Sequence, residues 1–187
     1  MLISHRPRRS LWPLALSLSL LCSGLVTSAQ EGKSAAAARQ LTELLDRHKL
    51  DSIAAADPSA PDTFVAALYF QGGQLLVVSA KYSVPSLLMN KIASKEYRDV
   101  YIDLNAASIP GTKIFVMDSG ANGLSARAME SQGADTWEQG NKSMVFDGDP
   151  RGAKMSEADY TKAFAAADER YAQLLALLAE HAGKGGA

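Results

Sequence analysis

The most constraining feature of this chain is a glycine pair set between two apolar runs. Residues 64–70 (FVAALYF) are rich in β-formers and carry few polar atoms, which fits a strand covered on both faces. Gly72-Gly73 supplies the positive φ of a tight hairpin turn. Leu75, Leu76, Val77 and Val78 form the return strand, which ends over residues 79–83. Pro85 suits a first helical turn, and the helix it opens runs to about Lys95 with Leu88, Met89, Ile92 and Ala93 facing inward. Val100, Ile102 and Leu104 then alternate with Tyr101 and Asp103, the period of a half-buried strand. A turn around Pro110-Gly111 leads to a partner strand over 113–117, closed by DSGANG at 118–123. Residues 63–118 therefore hold nearly all the strand-like sequence.

The flanks are mostly helical. Residues 32–48 form a helix with Leu41, Leu44 and Leu45 as a narrow apolar stripe. Residues 52–56 (SIAAA) fit either a short first strand or the tail of that helix, and 57–62 (DPSAPD) is a turn. Residues 124–140 show no clear period, although they hold Trp137; 142–146 reads as a last short strand and 147–152 as a loop. Ser156 and Asp159 make a capping box, with Met155 and Tyr160 placed as a hydrophobic staple. Tyr160, Phe164, Ala167, Tyr171, Leu174, Leu175 and Leu178 recur at helical spacing, as expected of a docked core face.

The first 29 of the 187 residues read as an export signal. His5, Arg6, Arg8 and Arg9 make a basic start, an apolar run follows over 11–26, and Thr27-Ser28-Ala29 offers a small-residue cleavage site. The run is short for a membrane span, so no stable anchor is expected after cleavage. Leu21 stands where a lipoprotein site before Cys22 would need a small residue. Arg8-Arg9 resembles a twin-arginine signal, but the strong apolar run favours the ordinary secretory route, with a periplasmic or secreted destination. Cleavage would remove three arginines and no acid, leaving 16 basic residues against 20 acids, a net charge of −4. That balance argues against a nucleic-acid partner.

Cys22, the only cysteine, leaves with the signal, so the remaining chain has no disulfide, thiol nucleophile or thiolate metal site. His48 and His181 sit near helix ends, which is poor supply for hydrolytic dyads or zinc. The loop 118–123 lacks the oxygen spacing of a calcium site, and Asp147-Gly148-Asp149 reads as a solvated turn. Glu96, Asp99 and Asp103 form an acidic cluster near Arg98. At 79–83 a strand ends, hydroxyls and a lysine gather, and a helix begins. Ser79, Lys81 and Ser83 there are the candidate site for a small anionic ligand.

The pieces IAAADP, TFVAALYF, QGG and QLLVVSAKYS, followed by an amphipathic helix and DVYIDL, resemble the opening of FMN-binding split-barrel proteins, the group that includes pyridoxamine-phosphate oxidases. The resemblance covers about residues 52–118. It implies an FMN phosphate held by Ser79, Lys81, Ser83 and Lys91, and flavin-dependent oxidoreduction as the activity. The element order also resembles roadblock and profilin-like sandwiches, which act as dimerisation or sensing modules. The expectation is one α+β domain over residues 30–182: a split-barrel-like antiparallel sheet with an N-terminal, a crossover and a long C-terminal helix, and a flexible tail at 183–187. The expected function is an exported binding or structural module, not a hydrolase. Exposed edge strands would favour a homodimer.

Overall fold

The structure, a computed structural model, describes residues 32–82, 111–129 and 132–185. Helix α1 (Ser34–His48) leads into strands β1 (Ser52–Ala56), β2 (Thr63–Phe70), β3 (Gln74–Lys81), β4 (Thr112–Ser119), β5 (Asp135–Gln139) and β6 (Lys142–Phe146). Helix α2 (Glu157–Gly185) ends the described chain. The strands form one open antiparallel sheet in sequence order, so the fold is α+β.

The β2–β3 hairpin is the centre of this sheet. Gly72 takes φ 71°, and the turn pairs Phe70 with Gln74. All but one of the eight β2 residues are buried, because both of its faces are covered. Val65, Ala67 and Tyr69 join Leu75, Val77, Ile114 and Val116 in the core under the two helices. Phe64, Ala66 and Leu68 join Leu76, Val78, Ala80 and Phe115 in a second apolar cluster on the opposite face. Burying each large side chain contributes about 1.5–3 kcal/mol.

Residues 52–56 are a strand, paired with β2 from Ser52 opposite Leu68 to Ala56 opposite Phe64. The helix α1 stops before it at Lys49, which takes φ 55° while the Leu50 N–H bonds Leu45 O at 2.8 Å. Residues 142–146 are likewise a strand, and the patternless region before them contains β5. The expected crossover helix after Pro85 and the strand at 100–104 lie outside the described residues.

At the start of α2, the Ser156 hydroxyl accepts the Asp159 N–H at 3.1 Å and donates to the Asp159 carboxylate at 2.6 Å. The helix is roughly 43 Å long at about 1.5 Å per residue. Its stripe from Tyr160 to Leu178 is buried against α1 and the sheet. It continues past residue 182, where a tail was expected. Ala182 is buried and Lys184 pairs with Glu180 one turn back, which holds the last turn.

Candidate functional site

Strand β4 places Ile114 and Val116 on the helix-facing side, and the same alternation brings Asp118 there. The chain then wraps around the carboxylate, with Gly120, Ala121 and Gly123 all at positive φ. Asp118 Oδ1 accepts the Asn122 N–H at 3.0 Å; Oδ2 accepts the Gly123 N–H at 2.8 Å and the Tyr171 hydroxyl at 3.0 Å. On β5, Asp135 lies two residues before Trp137 and also points inward. Its Oδ1 accepts the Ser119 N–H at 2.8 Å and its Oδ2 the Ser125 N–H at 2.7 Å. Two buried aspartates thus tie the connection after β4 into its turn.

Burial dominates their titration. Asp118 is fully buried, and loss of water pushes its carboxyl up to about 6, although the Gly123, Asn122 and Tyr171 donors pull it down. Asp135 is pushed up to about 7 by burial and by the Asp118 charge, against the Ser125 and Ser119 N–H groups. The Tyr171 hydroxyl is pushed well above its usual value, first by burial and then by Asp118 and Asp135.

The same turn touches the start of α1. Leu124 N–H donates to the Ser34 hydroxyl at 2.7 Å. A Cβ on Gly123 would lie 2.5 Å from the Ala35 nitrogen, and one on Gly32 2.3 Å from an Asp168 oxygen, so both approaches need glycine. Asp168, on α2, accepts the Lys33 and Ser34 N–H groups and caps α1 from another helix. The positive end of α1 is therefore already satisfied by a protein carboxylate.

Beside this junction α1 and residues 121–129 enclose a cleft of about 260 Å³. Ala35, Arg39 and Thr42 line it from the helix, and Asn122, Ser125 and Met129 from the loop. Thr42 donates its hydroxyl back to Ala38 O and Arg39 O, and the Asn122 side-chain amide donates to Gln132. Arg39 is exposed and forms no ion pair among the described residues.

The residues singled out from the sequence fall elsewhere. Ser79 is buried in β3 between Val65 and Ile114. Lys81 is exposed at the end of that strand, 3.8 Å from Asp62. Lys113, which sequence reasoning did not select, joins it there, 3.3 Å from Asp62 and 2.6 Å from the Thr63 hydroxyl. Ser83, Lys91 and the acidic cluster of Glu96, Asp99 and Asp103 lie outside the described residues. At 147–151 the carboxylates of Asp147 and Asp149 accept the Asp149 and Arg151 N–H groups, as a solvated turn does. Among the described residues no group of three His, Cys, Asp or Glu side chains is placed to hold a metal, and no helix is long and apolar enough to cross a membrane.

No family model, curated protein or solved structure matches this chain.

General acid or base work requires a carboxyl within reach of a substrate proton. The oxygens of Asp118 and Asp135 instead accept the chain's own N–H and O–H groups, out of contact with solvent. What the arrangement offers is a braced wall next to a cleft that is mostly apolar in lining and has Arg39 on its helix side.

Proposed function

We propose that the protein is an exported, non-catalytic binding module whose ligand site is the cleft between α1 and residues 121–129. The observation that carries this reading is the cleft itself, with the exposed Arg39 on one wall and an internally braced loop as the other. The Arg39 guanidinium on the cleft wall selects a small anion, because Arg grips carboxylate or phosphate through paired N–H donors. Bracing favours binding because little ordering remains to be done when the ligand arrives.

A second reading, the flavin-dependent split-barrel enzyme, draws support from the end of β3. Lys81 and Lys113 share Asp62 there, so two ammonium groups face one carboxylate and leave a surplus positive charge that would suit a phosphate.

One titration separates the two. Citrate, inorganic phosphate and FMN are each added to the full chain, its Arg39→Ala variant and its Lys81→Ala variant, and unfolding temperature is recorded with the visible spectrum. The cleft reading expects citrate or phosphate to stabilise the wild type and Lys81→Ala but not Arg39→Ala. A ligand at about a hundred times its Kd adds about 2.7 kcal/mol. FMN uptake lost in Lys81→Ala but kept in Arg39→Ala would replace the cleft reading with the flavin one.

A further inference from the structure

We propose that Asp118 and Asp135 act as a proton-dependent latch on the cleft wall: residues 118–125 are held while at least one of the pair is neutral and loosen when both are charged. As regulation of ligand binding this rests on the cleft reading; the latch itself does not.

The geometry supplies the reason. Two carboxylates enter one buried region from neighbouring strands, Asp118 from β4 and Asp135 from β5. The titratable group that faces them from α2 is Tyr171, whose hydroxyl donates to Asp118. From α1 the junction receives the uncharged Ser34 hydroxyl, through Leu124. Among the described residues no lysine, arginine or histidine contributes to the environment of either acid. A second like charge placed there is opposed by lost hydration and by the first charge, with no cation among the described residues to offset it. Local opening that admits water relieves both, and the segment that must move is the one the carboxylates hold. That segment carries Asn122 and Ser125, which line the cleft, and packs Gly123 on Ala35 at the start of α1. A carboxyl oxygen keeps a lone pair when protonated, so N–H donors retain an acceptor in the neutral form.

The titration directions agree. Burial first, and for Asp135 also the Asp118 charge, lifts the acids from 3.8 to about 6 and about 7. Folded values raised above unfolded ones mean stability that is complete below 3.8 and lost as pH rises through 6 and 7. The wall is therefore firmest on the acid side and loosest above neutral.

The test uses the ¹⁵N-labelled full chain without ligand, from about pH 4 to about pH 9. The amide protons of Ser119, Asn122, Gly123 and Ser125, which point at the carboxylates, should titrate with midpoints near 6 and 7. Their protection from hydrogen exchange, corrected for base catalysis, should fall about tenfold or more over the same interval while β2 and β3 stay protected. Tyr171→Phe removes a donor to Asp118 and should move the Asn122 and Gly123 midpoint upward. Asp135→Asn removes one charge and should keep those two amides protected at alkaline pH; if it does not fold, the tyrosine variant decides. Amides that do not titrate in this range would overturn the proposal, as would titration with unchanged protection. Because no ligand is used, failure here is distinct from failure of the cleft to bind citrate or phosphate.

Discussion

The β1–β2 turn and the connection after β4 each bury aspartate, with opposite electrostatics. In the first, Asp57 accepts the Ser59 N–H at 2.9 Å and the Ser59 hydroxyl at 2.5 Å, and Arg170 reaches across from α2 to 3.4 Å. Burial pushes the Asp57 carboxyl up, but the Ser59 bonds and the Arg170 charge outweigh it and hold it below its usual value. In the second, Asp118 and Asp135 also accept backbone N–H groups, but α2 offers Tyr171 in place of an arginine, and both acids are pushed up. Hydrogen bonds hold both turns in shape. The balance of burial against donors decides which way each responds to pH: at Asp57 the Ser59 bonds, followed by the Arg170 charge, outweigh burial, and at Asp118 and Asp135 burial outweighs the donors.

The largest effect is expected from Asp118→Ala. It strands the Asn122 and Gly123 N–H groups and the Tyr171 hydroxyl in a buried site, and should cost about 3–5 kcal/mol in urea unfolding. A loss under about 1 kcal/mol would mean that the turn does not depend on the carboxylate. Asp57→Asn should cost less, about 1–2 kcal/mol near neutral pH, since one turn and one half-exposed arginine are involved. Its folded carboxyl is depressed, so its contribution exists above 3.8 and is lost as pH falls through the folded value. The deficit of Asp57→Asn should therefore shrink in acid, and a deficit that grows there would break the contrast.

How far each region could be read from the sequence follows from the same physics. The β2–β3 hairpin and the stripe of α2 depend on apolar spacing and turn residues close in the chain, and both stand as expected. Strand β5 was hidden because its inward residues are Asp135 and Trp137, and an inward aspartate makes a strand look like a loop. Its burial depends on N–H groups of Ser119 and Ser125 that periodicity does not register. A usable signal did exist. Asp118 continues the inward alternation of Ile114 and Val116, and Asp168 sits four residues after Phe164 and three before Tyr171, on the apolar face of α2. An acid on an apolar face is a prompt to look for the donors that hold it. For Asp168 these are 134 and 135 positions away at the start of α1. The cleft was not legible, because its walls meet only through such distant contacts.

The most direct measurement is the unfolding free energy of the full chain from urea titrations at a series of pH values between about 5 and 8. With Asp118 raised to about 6 and Asp135 to about 7, stability should decline across this interval by on the order of 4 kcal/mol, and the decline should be reduced in Asp135→Asn. Stability that holds level or rises over the same interval would show that the two carboxylates are comfortably ionised in the folded protein, and would contradict the assignment of an uncompensated buried acid pair.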